Sequence, residues 1–347
     1  MTAEPAQRAR GRPPGACILI AQSEGGGQEQ AARMLHALLR ARGVVPVEIV
    51  ALSEAAEAAS PPLRGVARLL KRRSVNLLYA LCPFLLRGGA PGTVVLFQGL
   101  GFLLAPYLRA RGYRVIAICD APPRRMKGLA GLRERALLPS LRFASAVART
   151  FDFASPYPGP VLPNPIPDFP QAPRAFSPGP VRRLLYVGRL AEEKGLRAFL
   201  GLARDVPELE FVVYGAGPLA PLAQAAAHTI SNLRLAGYSR AWRAETEACL
   251  VGCCGVEACW TAGKEGLLNG MPVVFVPSVT GGPQVYPGYS DKAVQVESLA
   301  RETVREALVR IEAAIGSEAG PVVRLWEENR PERIAATLEA LVLAGEA

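Results

Sequence analysis

Short apolar runs rich in Val and Ile alternate along this chain with segments of helical periodicity, and this alternation limits the possible folds to a few. The strand-like runs of the first half are ACILIA, VPVEIV, TVVLF, YRVIAIC, SAVAR and PVLP; those of the second half are RRLLYVG, LEFVVYG, NLRLAG, CGVEAC and PVVFVP. Repeated strand-helix units form parallel sheets with helices on both faces. We therefore predict an α/β protein of two doubly wound, Rossmann-like parallel-sheet domains.

A dense cluster of prolines divides the chain. Seven prolines fall among residues 163–180, and neither a central strand nor a helix tolerates that density, because proline lacks an N–H donor. We predict an N-terminal Rossmann-like domain at 15–163, a Pro-rich linker at 164–180 and a C-terminal Rossmann-like domain at 181–320, the two domains facing a central cleft. Residues 1–14 lack a continuous apolar run, and we expect a disordered tail there.

The charge of the chain is uneven. Of its 347 residues, 1–180 hold 23 Lys and Arg against 10 Asp and Glu, whereas the remainder is slightly acidic. Such a half favours an anionic partner: one interpretation is peripheral docking on the inner face of a membrane, and the other is a set of solvated arginines around an ordinary core. Nucleic acid is not expected, because the basic residues show neither a recognition motif nor interleaved aromatics.

An uncharged stretch at residues 88–108 is long enough to raise the question of a membrane span. Its five glycines and two prolines instead divide it into a strand, TVVLF, a turn and a helix, FLLAPYLRARG. We predict buried elements of the first domain there.

Histidine and cysteine limit the chemistry. The two histidines, His36 and His228, are too few for a three-histidine zinc site. The odd number of cysteines, seven, and the length of the chain predict reduced thiols in a cytoplasmic protein. Four of the cysteines lie in residues 249–259 without paired C-x-x-C spacing, so we predict no metal site and no cofactor. Catalysis is expected to depend on carboxylates, Arg, Lys and backbone amides.

Two strand-to-helix turns of the second half carry candidate ligand-binding residues. Arg189 and Lys194 follow the strand LLYVG, where two cations near a helix N-terminus can bind a diphosphate or can pair with neighbouring glutamates. Gly215 and Gly217 follow the strand FVVY, where they allow either the close approach of a ligand or a tight turn.

A pair of carboxylates marks a third turn, in CCGVEACWTAGKEGLLNG. Glu257 is predicted after a short strand, and Glu265 within a helix that ends at Gly270. Their spacing of eight residues is just over two helical turns, and since Glu257 precedes the helix, both carboxylates can face one cleft.

Taken in order, these motifs resemble the retaining, nucleotide-sugar-dependent glycosyltransferases of GT-B architecture, in particular glycosyltransferase family 4. The resemblance covers nearly the whole chain through EGGGQEQAARMLHALLRARG, VLPNPIPD, YVGRLAEEKG, YGAGP, NLRLAGY, EACWTAGKEGLLNGMPVVF and VTGGPQ. The segment RLWEENRPERIAATLEAL resembles a terminal helix, at 321–347, that crosses back to the N-terminal domain. The resemblance implies sugar transfer from a UDP or GDP sugar to a glycan, lipid-linked or small-molecule acceptor, with retained anomeric configuration and without metal.

The same resemblance implies a role for each candidate residue. Arg189 and Lys194 would bind the diphosphate and offset the charge of the departing phosphate. Glu265 would hold the ribose hydroxyls, and Glu257 would be a catalytic residue that hydrogen-bonds the donor sugar. The other implied donor-binding residues are Gly215, Gly217, Trp260 and Thr261. The implied acceptor-side or phosphate-loop residues are Gly25, Gly26, Gly27 and Asp120.

The chain departs from the family pattern at three positions. Cys119 stands where a histidine is frequent, Trp260 falls in a run that is usually glycine-rich, and Gln284 replaces an acidic residue. These departures leave a non-catalytic nucleotide-sugar-binding or scaffold protein as the alternative to an enzyme. Nothing specific supports an epimerase or phosphorylase, and EGGGQEQAA is not the GxGxxG fingerprint of a dehydrogenase.

Overall fold

A computed structural model divides the chain into two compact units. Unit 1 comprises residues 1–167 and 331–347, and unit 2 comprises residues 168–330, so one boundary lies inside the proline-rich segment. The structure describes residues 17–21, 27–43, 47–52, 55, 61–73, 80–82, 86, 92–97, 100–120, 137, 139–152, 157–252, 260–277, 283–317, 320 and 322–344.

Strands and helices alternate in both units. The strands are β1 Cys17–Ala21, β2 Val47–Ala51, β3 Thr93–Phe97, β4 Arg114–Cys119, β5 Ala146–Arg149, β6 Arg183–Val187, β7 Glu210–Tyr214, β8 Leu233–Gly237, β9 Ala248–Gly252, β10 Val273–Phe275 and β11 Ala293–Gln295. The helices are α1 Gly27–Arg42, α2 Pro61–Arg73, α3 Ala105–Ala110, α4 Leu196–Asp205, α5 Ala220–Thr229, α6 Thr261–Leu268, α7 Arg301–Ser317, α8 Val323–Glu328 and α9 Pro331–Leu343.

Unit 1 is built on a parallel sheet of strand order β2-β1-β3-β4-β5. Alternate residues of its central strands enter two separate buried clusters: Ile18 and Ile20 lie in one, and Cys17 and Leu19 in the other. Residues of α2 and α3 join the first cluster, and residues of α1 and α9 join the second. Because helices cover both faces, these strands are apolar throughout rather than alternating.

The last helix, α9, belongs to unit 1. Its Leu338 lies in the same buried cluster as Leu35 of α1, and Glu339 forms an ion pair with Arg42. The segment predicted as one terminal helix is two helices, because α8 ends before Pro331, which can begin a helix but cannot continue one. The second of these helices completes a face of the first sheet.

Unit 2 contains a parallel sheet of strand order β11-β10-β9-β6-β7-β8. From β6 the chain builds outwards through β7 and β8, and it then returns to the other side of β6 for β9, β10 and β11. The order of the strands therefore reverses between β6 and β9. The loops that follow two such strands diverge, and ligands of doubly wound sheets bind there.

Much of the proline-rich segment is packed against unit 2. The ring of Phe169 stacks on Trp326 with centroids 6.0 Å apart, and Trp326 Nε1 donates to the carbonyl of Pro170 at 2.9 Å. Gly270 has a φ of +73°, and a Cβ there would lie 2.1 Å from the carbonyl oxygen of Ala175. A missing side chain thus allows this segment to lie directly on unit 2.

One strand that bears on function was not predicted. It is β9, ACLVG, residues Ala248–Gly252, which lies just before the predicted strand CGVEAC. Residues 253–259 lie outside the described part of the chain.

In the uncharged stretch at residues 88–108, TVVLF is β3 and the predicted helix that follows it includes α3. Within the described ranges, no helix is both long enough and apolar enough to cross a membrane.

Candidate functional site

The loops after β6 and β7 are bonded directly to each other. The amide of Leu190 donates to the carbonyl of Ala216 at 3.0 Å. Gly215 and Gly217 have φ values of +153° and +156°, and a Cβ on Gly215 would lie 1.9 Å from the carbonyl oxygen of Gly188. A Cβ on Gly217 would lie 2.5 Å from the carbonyl oxygen of Leu190. Both glycines therefore allow two strand-end loops to touch, which a side chain would prevent.

Arg189 and Lys194 lie on the turn that leads from β6 into α4. Lys194 ends a short 3-10 turn directly before that helix, so the two predicted cations lie on one strand-to-helix connection. The guanidinium of Arg189 pairs with Glu193, and its side chain is 62% exposed. An exposed pair of this kind contributes little to stability, so an anionic ligand can replace Glu193 at small cost.

Glu265 is a buried carboxylate of α6 with an arginine partner. The residue is 7% exposed, and its Oε2 accepts hydrogen bonds from Arg243 Nε at 2.8 Å and from Arg243 Nη2 at 2.5 Å. The same guanidinium donates through Nη1 to Asp168 Oδ2 at 3.0 Å, and Arg240 pairs with that aspartate as well. Two arginines and two carboxylates thus form a connected network that ends at Glu265.

The charge state of Glu265 reflects two opposed effects. Burial raises the pKa of its carboxyl, while the positive charge and hydrogen bonds of Arg243 act to lower it. Hydrogen bonds from Arg243 and Arg240 lower the pKa of Asp168, at the exposed end of the network. Asp168 has a left-handed φ of +50°, a conformation that aspartate adopts more readily than most residues.

Trp260 lies directly before α6 with its ring in the core of unit 2. The residue is 6% exposed, its ring stacks on Tyr286 with centroids 6.0 Å apart, and Tyr286 Oη donates to the Trp260 carbonyl at 2.6 Å. A Cβ on Gly252 would lie 3.0 Å from this ring, and a Cβ on Gly263 would lie 2.4 Å from it. Two glycines therefore make room for the indole. Thr261 is the first residue of α6.

Asp120 lies at the carboxyl end of β4 in unit 1. It is buried, and its carbonyl accepts a hydrogen bond from Thr150 Oγ1 at 3.4 Å. The preceding Cys119 is also buried, and burial, aided by the charge of Asp120, raises the pKa of its thiol to about 12. Cys119 is therefore a protonated, unreactive thiol at neutral pH.

The remaining predicted site residues are only partly described. Gly27 is the first residue of α1, whereas Gly25, Gly26 and Glu257 lie outside the described residues.

The sequence analysis did not single out Arg243, Arg240 or Asp168. All three are distant in sequence from Glu265, and although Asp168 ends the quoted motif VLPNPIPD, no role was assigned to it. A signal was nevertheless present, since a carboxylate predicted on a buried helix requires a positive partner, and SRAWRAE supplies two arginines. In the part of the chain that the structure describes, no group of three His, Cys, Asp or Glu side chains could hold a metal ion.

Solved structures of sugar-transferring enzymes share this architecture. The apo form of the lipopolysaccharide outer core galactosyltransferase WaaB is 14% identical, with a TM-score of 0.62 over 95% of this chain and 99% of its own. Sucrose-phosphate synthase from Thermosynechococcus elongatus is 16% identical, with a TM-score of 0.57 over 96% and 97%. A trehalose-6-phosphate synthase is 13% identical, with a TM-score of 0.61 over 94% and 99%.

Because these sequence identities are low, the similarity establishes the fold alone and not the activity of this chain. No known family profile and no curated protein sequence matches the chain. The predicted GT-B fold, with two parallel-sheet α/β domains, is confirmed by the two sheets and by these structural neighbours.

Proposed function

We propose that this protein is a glycosyltransferase that moves a sugar from a nucleoside-diphosphate sugar to an acceptor hydroxyl with retention of configuration and without a metal ion. One observation carries the proposal: at the reversal of strand order in the second sheet, the turn after β6 bears Arg189 and Lys194, and the helix after β9 bears a buried Glu265. Cations and a hydrogen-bond acceptor are the groups that a diphosphate and a ribose require.

The structural neighbours support a uridine nucleotide as the donor class. HepE of Anabaena was solved with UDP, and a pneumococcal O-GlcNAc transferase, GtfA, was solved with UDP and GlcNAc. A trehalose-6-phosphate synthase was studied for glycosyl transfer with retention. We extend the donor class and the stereochemistry to this chain as part of the proposal.

In the proposed reaction the acceptor oxygen bonds to the anomeric carbon on the face from which the phosphate departs. The bond between that carbon and the phosphate oxygen breaks, and the departing phosphate takes the proton of the acceptor hydroxyl. Arg189 and Lys194 offset the negative charge that grows on the phosphate, which is the role a divalent ion has in other transferases. Glu265 accepts hydrogen bonds from the ribose, and Glu257 binds the donor sugar.

The second part of the proposal is that unit 1 docks on an anionic membrane that presents a lipid-linked acceptor. Helix α2, PPLRGVARLLKRR, has five basic residues and no acidic one. Its Leu63 and Leu70 pack on the core, but Val66 is 47% exposed and Leu69 is 61% exposed, with Arg68 exposed beside them. Apolar and basic side chains on one exposed helix suit a negatively charged lipid surface, where each basic residue contributes about 1 kcal/mol.

The test of transfer begins with a thermal-shift screen of UDP-glucose, UDP-galactose, UDP-GlcNAc and GDP-mannose, because a ligand at about 100 times its Kd stabilises a protein by about 2.7 kcal/mol. The donor that binds is then assayed for release of its nucleoside diphosphate in excess EDTA, and the product anomer is read by proton NMR. We expect release to persist and configuration to be retained. Binding without release would instead indicate a non-catalytic protein, and loss in EDTA that magnesium restores would contradict metal independence.

The test of docking compares two double charge reversals. Arg64→Glu with Arg68→Glu alters α2, and Arg204→Glu with Arg310→Glu makes the same charge change at exposed positions of unit 2. We expect the first pair alone to weaken co-sedimentation with phosphatidylserine vesicles, and added salt to weaken it further. Equal effects of the two pairs, or no binding at low salt, would favour a soluble acceptor.

A further inference from the structure

The hydrogen bonds between Arg243 and Glu265 fix the orientation of the carboxylate in addition to neutralising its charge. The two hydrogen bonds that Glu265 accepts from Arg243 both go to Oε2, and among the described residues none donates to Oε1. One oxygen of the carboxylate is thus fully engaged, while the other keeps its capacity to accept. We infer that Arg243 is a positioning residue, which holds the Glu265 carboxylate in one orientation so that Oε1 accepts from the donor ribose; the inference rests on the proposed function.

Arg243 is itself held in place. Its side chain is 16% exposed, its Nη1 donates to Asp168 Oδ2 at 3.0 Å, and the guanidinium carbon lies 5.7 Å from the centroid of the Trp242 ring. Trp242 is buried, so the aromatic side of this arrangement is fixed. The planar guanidinium therefore meets one carboxylate with Nη1 and the other with Nε and Nη2. A lysine in its place has a single ammonium and cannot reproduce this geometry.

The charged groups around Glu265 come from three parts of unit 2. Arg243 and Arg240 precede β9, and Asp168 precedes β6; together with burial, these are the groups that set the pKa of Glu265. Lys264, the neighbour of Glu265 in α6, is buried and donates to Asn329 Oδ1 at 3.2 Å. Because Asp168 and Arg240 are more exposed than Arg243, the network depends chiefly on Arg243.

The inference predicts that substitution of Arg243 weakens only the recognition of the ribose hydroxyls. A general loss of structure would weaken the binding of every part of the nucleotide. The probes are UDP and GDP, with their 2′,3′-dideoxy forms as matched ligands that lack the ribose hydroxyls. Binding of each is measured by isothermal titration calorimetry to the wild type, Glu265→Gln, Arg243→Lys and Arg243→Gln. Arg324→Gln removes an exposed Arg–Glu pair of α8 and is the control. Circular dichroism reports whether each variant is folded.

For the nucleotide that the wild type binds, we expect Glu265→Gln and Arg243→Gln to weaken binding about 10- to 100-fold, as for a lost hydrogen bond to a charged group. We expect Arg243→Lys to weaken it to a smaller extent. Binding of the dideoxy form should stay within about twofold of the wild type in every folded variant. In Arg243→Gln, binding of the full nucleotide should also fall as the pH is lowered from 8 to 6, because the carboxyl without its arginine takes up a proton at higher pH.

Three outcomes would overturn the inference. If Arg243→Lys and Arg243→Gln bind the full nucleotide as the wild type does, while Glu265→Gln does not, Arg243 does not position the carboxylate. If they bind it more tightly, Arg243 competes with the ribose. If binding of the dideoxy form falls equally, the arginine is only structural. Should Arg243→Gln not fold, Arg243→Lys decides. A wild type that binds neither diphosphate would overturn the proposed function as well, which distinguishes the two failures.

Discussion

Two of the arginine–glutamate pairs in unit 2 have similar chemistry and opposite surroundings. In the pair on the β6 turn, the side chains of Arg189 and Glu193 are 62% and 39% exposed; in the pair at α6, the side chains of Arg243 and Glu265 are 16% and 9% exposed. Water stabilises each charge of the first pair separately, so its partners can exchange. Water stabilises the charges of the second pair far less, so removing Arg243 leaves Glu265 buried without the cation that hydrogen-bonds to it. Burial, rather than residue type, decides which arginine is available to a ligand.

The largest expected effect comes from breaking the buried pair. Arg243→Met should lower the free energy of unfolding by about 3–5 kcal/mol at pH 7, because Glu265 is left as an uncompensated buried charge. The pKa of Glu265 is already raised by burial and rises further without its arginine. The loss should therefore shrink as the pH is lowered and the folded protein takes up the proton.

Urea denaturation at pH 7 and pH 5 measures both effects. The double variant Arg243→Met with Glu265→Gln is the control, because it removes both charges and should recover part of the loss. A change below about 1 kcal/mol at pH 7 would show that the pair behaves like an exposed one.

The next effect concerns activity at the two cations of the β6 turn. Arg189→Ala and Lys194→Ala should each raise the barrier to sugar transfer by about 2.7–4 kcal/mol, the usual cost of one lost electrostatic donor. The free energy of unfolding should change by less than about 0.5 kcal/mol for Arg189→Ala, since that side chain is exposed. Steady-state turnover and urea denaturation on the same preparations provide the comparison. Full turnover in both folded variants would remove these residues from the mechanism.

The smallest effect is expected at the other member of the exposed pair. Glu193→Gln leaves Arg189 solvated, so the free energy of unfolding should fall by about 0.3–0.5 kcal/mol at low salt and hardly at all in 0.5 M NaCl. Turnover should stay within about threefold of the wild type, because Glu193 is only an exchangeable partner. A loss of turnover as large as that of Arg189→Ala would mean that Glu193 orients Arg189. In both pairs, one member would then position the other for the ligand.

Much of the fold could be predicted from the sequence, because buried parallel strands are continuous apolar runs. TVVLF coincides with β3, and RRLLYVG contains β6. The sequence analysis did not identify β9, ACLVG, and the neighbouring run that it did identify, CGVEAC, lies outside the described residues. Periodicity gives little information on runs as short as these, whereas the pairing of β9 with β6 and β10 identifies ACLVG as a strand.

The candidate site could be predicted only where a residue acts through its place in a local motif. Arg189 and Lys194 belong to one turn, and their positions follow from the strand and helix on either side. Arg243 meets Glu265 because the 3-10 turn before β9 and the helix after it come together, which is a property of tertiary structure. The sequence allowed two interpretations of Gly217, close approach of a ligand or a tight turn. Its closeness to Leu190 shows that the missing side chain lets the loops after β6 and β7 touch.

The place of α9 in unit 1 determines the order in which the two units can be completed during synthesis. Unit 2 is finished when residue 330 has been added, but unit 1 still lacks the helix that contributes Ile334, Leu338 and Val342 to its buried cluster. Until then the apolar surface that these side chains cover is open to water, and such a patch invites association with other chains. The unit whose synthesis begins first is thus the last to be completed. A chain that is terminated before residue 331 would have a complete second unit and a first unit with exposed apolar surface.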